Sequence, residues 1–350
     1  MNNTILVDAY FNNNFGDDLF LKILTEKFSD YKFDFLVRDK CQVKAFEGQD
    51  QINFIGRRNA FFKVKKYSAF VYIGGSLFQE HSNWKKQYKI LNATISWCKL
   101  NSIPTFIIGF NFGPYKSEEF SKKYSSLFKK VSAITVRDNE SFEKFSQQDI
   151  NISIFPDIVQ SMKVLEYSKE KKNILGISII DSPQMNVEQK QLYTETIVNF
   201  IKKFGKSYSQ IKLFSFQDTE TISDLKMINS NILEFLDTEK NSIRIINYDG
   251  DMEQFIKEYS ECDSCITGRF HSLVLSILLG QKFFPFIYDE KIKNYLNSLS
   301  IDYYSNFTKN HPNINLKDFE NNFFVACEEL RNELQKKSSG HFEELINYLK

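Results

Sequence analysis

The sequence predicts an α/β protein built from two doubly wound halves, and three observations lead there. Short apolar runs rich in β-branched and aromatic residues alternate with stretches whose apolar residues recur at helical spacing, the pattern of βα units around a mainly parallel sheet. A charged run, "EYSKEKKN" at 166–173, interrupts the alternation once before it resumes. At about 150 residues per domain, 350 residues suit two domains, each long enough to bury its own core. The expected division is 1–165 and 166–350.

In the first series the strands are "TILVDAY", "FDFLVR", "AFVYIGG", "PTFIIGF", "AITVRD" and "ISIFPD", with Asp17 to Phe28 and Trp84 to Leu100 among the helices between them. The charged run reads as a solvated linker rather than a binding patch. The second series follows with "ILGISII", "IKLFSF", "SIRIIN", "CDSCITG" and "FFPFIY". Residues 316–350 read as helices closing the second domain, with the last either staying there or returning to the first. Two doubly wound halves place a binding cleft between them, outside the carboxyl ends of their strands.

Composition narrows the function. Lys plus Arg is 45 and Asp plus Glu 44, so the net charge of +1 gives no global field for capturing nucleic acid or an anionic membrane. Any anionic ligand must be held locally. The start "MNNTILVDAY" lacks a basic segment followed by a long apolar one, and no run reaches the about 18 apolar residues of a membrane span. A cytoplasmic protein is expected. Five cysteines fit no disulfide scaffold. Neither G-x-G-x-x-G after a strand, nor a P-loop, nor H-E-x-x-H occurs, so dinucleotide redox, P-loop hydrolysis and zincin chemistry lose weight. Cys262 and Cys265 form a C-x-x-C with no second ligand pair nearby, and read as buried strand cysteines. No metal site and no cofactor are expected.

Four loops at predicted strand ends carry the chemistry. In "NNNFGDDLF", Asn14 and Gly16 supply turn chemistry while Asp17 and Asp18 open a helix; capping explains one carboxylate, and a second leaves a group to bind a sugar hydroxyl. In "YIGGSLFQE", Gly74 and Gly75 either make a plain tight turn or bring backbone N–H groups to the cleft. In "AITVRDNES", Arg137 can offer its fork of donors to a carboxylate or phosphate, the alternative being a salt bridge to Asp138 or Glu140. In "ITGRFHSLVLSILLG", Gly268 makes a turn, Arg269 and His271 occupy the first helical turn, and Gly280 ends the helix. That helix start favours an anion, and Arg269 adds charge where His271 can move a proton. The bland alternative for His271 is a hydrogen-bonded helix start.

These motifs, in this order and over nearly the whole chain, resemble the polysaccharide pyruvyl transferases: "NNFGDDLF", "YIGGSLFQE", "GFNFGP", "VRDNES", "FPDIV" and "TGRFHSLVLSILLGQKFFPFIYDEKIKNYL". The resemblance implies two Rossmann-like domains in a glycosyltransferase-B-like arrangement, the N-terminal one on the acceptor side and the C-terminal one on the donor side. It implies transfer of the pyruvyl group of phosphoenolpyruvate onto a sugar of a cell-surface polysaccharide or its precursor, as a ketal. Arg269 and His271 match the family's R-x-H, and Arg137 its earlier phosphoenolpyruvate-binding arginine. Asn14, Gly16 and Asp17 match the N-terminal motif, and Asp289 with Lys291 the late acidic and basic pair. Gly74, Gly75, Ser76 and Glu80 complete the expected substrate-binding set. His271 is the expected proton shuttle, and Asp17 the acceptor-binding residue or second base. Phe270 stands where a smaller aliphatic residue is usual, and Cys262 at a typically small or acidic position; both departures bear on acceptor fit. The implied partners are phosphoenolpyruvate and a sugar acceptor, free or lipid-linked, with no nucleic acid, the enzyme working in the cytoplasm or at the inner face of the membrane. A nucleotide-sugar glycosyltransferase and a non-catalytic glycan-binding protein stay open as alternatives.

Overall fold

The computed structural model describes residues 3–37, 40–163, 172–183, 185–220, 222–237, 242–287, 289–301, 305–306 and 322–350. The chain divides into two compact units. Unit 1 comprises Met1–Asn12, Asp17–Ser161 and Leu334–Lys350; unit 2 comprises Asn13–Gly16 and Met162–Glu333.

Unit 1 carries β1 (Thr4–Ala9), β2 (Lys32–Leu36), β3 (Ile52–Ile55), β4 (Tyr67–Ile73), β5 (Thr105–Phe110), β6 (Ala133–Val136) and β7 (Ile152–Ile154). They form a parallel sheet of order β3-β2-β1-β4-β5-β6-β7 among the described residues, with Val7 opposite Val71 and Phe106 opposite Ala133. All six residues of β5 are buried, as expected for a parallel strand covered on both faces. One face packs on an aromatic cluster in which Phe78, Phe110, Phe112, Tyr124 and Phe128 meet at 4.6 to 6.3 Å between ring centroids.

Unit 2 carries β8 (Ile174–Ile179), β9 (Gln210–Ser215), β10 (Ile243–Asn247), β11 (Ser264–Thr267), β12 (Lys282–Ile287), β13 (Ser305–Asn306) and β14 (Phe324–Val325). The order is β10-β9-β8-β11-β12-β13, parallel throughout, with β14 antiparallel to β12. The two sheets repeat one plan. The first strand pairs with the second on one side and the fourth on the other, so strand order reverses at β1/β4 and at β8/β11. Ligands of doubly wound sheets bind outside the carboxyl ends of the strands at this switch point. The candidate loops follow β1, β4, β6, β11 and β12, at those ends.

The observed division departs from 1–165 and 166–350 in three places: the break falls after Ser161, residues 13–16 cross to unit 2, and 334–350 return to unit 1, the alternative left open for the last helix. Residues 13–16 join unit 2, because Phe15 inserts its ring among Phe216, Tyr248 and Phe255 at 4.5 to 5.3 Å and donates its N–H to Phe216 O at 3.1 Å. Residues 334–350 belong to unit 1, where His341, Phe342 and Leu345 are buried. His341 Nε2 faces Pro156 O and Nδ1 faces Thr135 Oγ1, each at 2.7 Å. The expected linker falls largely on 164–171, and part of the expected C-terminal helical stretch on 316–321; both lie outside the described residues. Cys262 precedes β11 rather than lying in it, while Cys265 is on the strand; both are buried and neither forms a disulfide. No helix among the described residues is long and apolar enough to cross a membrane.

Candidate functional site

In unit 2 the turn after β11 is set by what surrounds it. A Cβ on Gly268 would lie 2.3 Å from Ser178 O and 2.9 Å from the Tyr193 hydroxyl, so only glycine fits between β8 and the next helix. Ser178 Oγ accepts from Gly268 N at 2.7 Å and Arg269 N at 3.1 Å. The sequence reading gave amides at this helix start to an anion; these two are taken by Ser178. Arg269 is the N-cap residue of helix Phe270–Leu278, and His271 is the second residue inside it. Gly280, at φ 60°, follows the helix in the left-handed region that glycine favours.

Arg269 does not extend into open solvent. Its Nε donates to Asp224 Oδ2 at 2.9 Å, and its Nη2 pairs with Asp224 Oδ1. Asp224, fully buried, also accepts from the backbone N–H groups of Asp181, Phe216 and Gln217 at 2.9 to 3.2 Å. Burial pushes its carboxyl up, against the Arg269 charge and these donors, which hold it down. The guanidinium is thus fixed in plane by a carboxylate that is itself fixed by backbone, a rigid setting for an anion-binding arginine.

His271 brings the N-terminal motif to the R-x-H motif. A Cβ on Gly16 would stand 1.7 Å from His271 Nδ1, so the backbone of "NNFGDD" passes flush against the imidazole. Asn14, just ahead of helix Phe15–Lys27, accepts from Gly16 N through Oδ1 at 3.0 Å and donates through Nδ2 to Gln217 Oε1 at 3.0 Å. Its amide holds the loop in place, so the role expected from the residue type is shared with a structural one. Phe270 is buried against Tyr295 at 5.3 Å between centroids. Asp289 caps helix Glu290–Ser298 by accepting from Lys291 N at 3.1 Å, with Lys291 Nζ 3.4 Å from its other oxygen.

In unit 1, Arg137 follows β6. Its Nη1 donates to Asp157 Oδ2 at 2.7 Å and Nη2 to Asn111 Oδ1 at 2.8 Å. Asp138 instead caps helix Asn139–Ser146 by accepting from Ser141 N at 2.8 Å. Gly75 is glycine because the guanidinium lies on it: a Cβ there would be 2.6 Å from both Nη atoms. The Gly74 N–H donates to Ile108 O at 3.2 Å, as the plain-turn alternative for this amide has it. Ser76 is exposed beside them. Glu80 receives the Ser117 N–H at 2.7 Å and the Ser117 hydroxyl, which with the Lys116 amide hold its carboxyl below the usual range. It ties down the 114–117 loop. Asp17 is half-buried in the first turn of helix Phe15–Lys27, whereas Asp18 is fully buried.

The sequence reading missed the residues that hold the two arginines. "FPDIV" signalled Asp157, though without a role, and "GFNFGP" contains Asn111; Asp224, Ser178 and Gln217 had no signal in the sequence. A cavity of about 630 Å³ in unit 1 lies at the opposite, amino-terminal end of the sheet, lined by Asn3, Tyr31, Tyr67 and Tyr348 among others, and holds none of the candidate residues.

AmsJ of Erwinia amylovora, an amylovoran biosynthesis protein, is 29% identical over 89 residues, which are 25% of this chain and 20% of that protein. The matched stretch thus reaches a fifth of the relative's length. Among solved structures, UDP-GlcNAc 2-epimerase from Neisseria meningitidis superposes with a TM-score of 0.57 at 9% identity, covering 98% of this chain and 99% of that one. Anabaena HepE, in complex with UDP and glucose, gives 0.53 at 9% identity, covering 100% and 98%. Likeness at this identity shows the fold, two Rossmann-like α/β units of the glycosyltransferase-B kind. The family model for polysaccharide pyruvyl transferases matches residues 14–290, a span that contains both motifs meeting at Gly16 and His271, and the chain belongs to that family.

Proposed function

We propose that the protein transfers the pyruvyl group of phosphoenolpyruvate onto two hydroxyls of a sugar in a polysaccharide or its precursor, forming a ketal and releasing inorganic phosphate. The observation that carries the reading is the meeting of the N-terminal and R-x-H motifs at one helix start, inside a family match of residues 14–290. Arg269, held in plane by Asp224, offers its charge to the donor's phosphate or carboxylate, and Arg137 serves as a second anion-binding arginine.

The chemistry needs one proton moved onto carbon and two taken from hydroxyls. A general acid protonates C3 of phosphoenolpyruvate, and C2 becomes electrophilic. The first sugar hydroxyl attacks C2 and gives up its proton. The second then bonds to C2 as the C–O bond to phosphate breaks, and its proton leaves with the phosphate or a base. His271 shuttles the proton, because an imidazole can both take and return one near neutral pH, and Asp17 binds the acceptor or acts as second base. No metal is invoked, so the departing phosphate relies on the arginines.

Equilibrium titration of the purified protein with phosphoenolpyruvate, against UDP and UDP-glucose, tests the donor. Saturable binding of phosphoenolpyruvate that the Arg269→Ala variant loses is the expected result. Binding of the uridine ligands without phosphoenolpyruvate would replace the reading with a nucleotide-sugar glycosyltransferase.

A further inference from the structure

Gln217 lies two residues beyond β9, at the carboxyl end of the unit 2 sheet, and is 2% exposed. Its backbone is pinned on both sides: the N–H donates to Asp224 Oδ2 at 3.2 Å, and the carbonyl accepts from Asp224 N at 3.0 Å. Its side-chain orientation is also fixed. Gly16 N can only donate, so the Asn14 atom facing it is Oδ1; Asn14 Nδ2 therefore points at Gln217, and the Gln217 atom receiving it is Oε1. Nε2, with its two N–H groups, is left turned the other way. It is buried, and among the described residues no acceptor lies within hydrogen-bond distance. A buried donor without an acceptor lowers stability, so native chains keep one where something else completes it.

The neighbours say what that is. Gln217 touches Asn14, whose loop lies against His271, and its backbone bonds the carboxylate that holds Arg269. We propose that Gln217 is a ligand-binding residue of the unit 2 site, its Nε2 donating to an anionic oxygen, phosphate or carboxylate, of the donor substrate. A neutral amide adds a directed hydrogen bond beside Arg269, whose charge is already shared with Asp224. The inference rests on the pyruvyl-transfer reading only for the identity of the anion.

Two variants test it in the 350-residue chain. Gln217→Glu keeps the oxygen that Asn14 Nδ2 needs but replaces the donor with a repelling carboxylate; Gln217→Met keeps the length and removes all polarity. Each is titrated by calorimetry with phosphoenolpyruvate, inorganic phosphate and UDP, beside a thermal melt without ligand. If one variant fails to fold, the other carries the test. The proposal predicts affinity at least about tenfold weaker in both variants, the melt checking that each is folded, since Gln217→Met removes the unsatisfied donor but also the Oε1 that receives Asn14 Nδ2. Wild-type binding of phosphoenolpyruvate that both variants retain would overturn the role of Gln217 and leave the pyruvyl reading standing. Binding of phosphate or UDP but not phosphoenolpyruvate, weakened in the variants, would do the reverse. Failure of the wild type to bind any of the three would overturn both.

Discussion

Arg137 and Arg269, the two anion-binding arginines the sequence predicts, are each held by a buried aspartate. Asp157 and Asp224 are both 0% exposed, so removing either arginine strands a charge in the interior. Arg137→Ala should lower stability by about 3–5 kcal/mol in urea unfolding, which would mask any effect on turnover. The double variant Arg137→Met with Asp157→Leu replaces the pair with apolar volume. It should regain most of that stability and none of the activity; regained activity would confine Arg137 to a structural role. His271 calls for a different comparison. His271→Asn can keep a hydrogen bond but cannot titrate near neutral pH, and should lower kcat by about 10²- to 10⁴-fold while phosphoenolpyruvate affinity holds. Near-wild-type turnover would leave His271 as a helix-start residue and move attention to Asp17. At this scale the sequence showed which residues matter through their motifs, but not their partners. Asp224 and Ser178 lie 45 and 91 positions from Arg269, and nothing local in the chain marks such pairings.

Among the elements, the turns after the strands are where glycine decides function, and two glycines should answer alanine differently. At Gly268 the obstruction is the Ser178 backbone carbonyl at 2.3 Å, which cannot move without disturbing β8. Gly268→Ala should destabilise by about 1–3 kcal/mol or more, the range for an overpacked interior, visible in a thermal melt. At Gly16 the obstruction is the His271 imidazole, a side chain rather than backbone, met at Nδ1, Cγ and Cε1. Gly16→Ala should therefore hold its melting temperature to within a few degrees and lose turnover with His271 displaced. Equal losses of stability in both variants would contradict this placement of His271. Most strands were legible as apolar runs because parallel strands buried on both faces have no polar alternation, as in β5 and β8. Two kinds were not. Ile52–Ile55 is a four-residue edge strand with an exposed Asn53, too short and too mixed to stand out, and β13 and β14 have two residues each. Helix Trp84–Leu100 matches its expected ends, while the first helix begins at Phe15, two residues early, because Asn14 caps it rather than an aspartate.

Over the whole molecule, the feature that chain order hides most is the return of 334–350 to unit 1, and it gives a pH-dependent stability. Pro156 O can only accept, so His341 Nε2 carries the proton and, in the neutral ring, Nδ1 accepts from Thr135; burial disfavours the imidazolium, outweighing the Pro156 bond that favours it, and lowers the His341 pKa from 6.5 to about 4. Between those values the unfolded chain takes up a proton that the folded protein refuses. Stability therefore falls as pH falls from about 6.5 to about 4, by about 3 kcal/mol, and this term is flat above that window. Urea unfolding across this range should show the decline, and His341→Gln should flatten it; an unchanged slope would refute the assignment. The doubled βα plan was legible in the chain because each half repeats the same alternation of apolar runs, whereas long-range exchanges such as 13–16 and 334–350 leave no periodic mark. The reaction itself is read out by incubation with phosphoenolpyruvate and a panel of nucleotide- and lipid-linked sugars, following phosphate release and sugar mass together. Pyruvyl transfer releases phosphate only when a sugar acceptor is present, one per sugar that gains one pyruvyl ketal, and both signals should be lost in His271→Asn. Transfer of a glycosyl group from a nucleotide sugar, with phosphoenolpyruvate untouched, would contradict it.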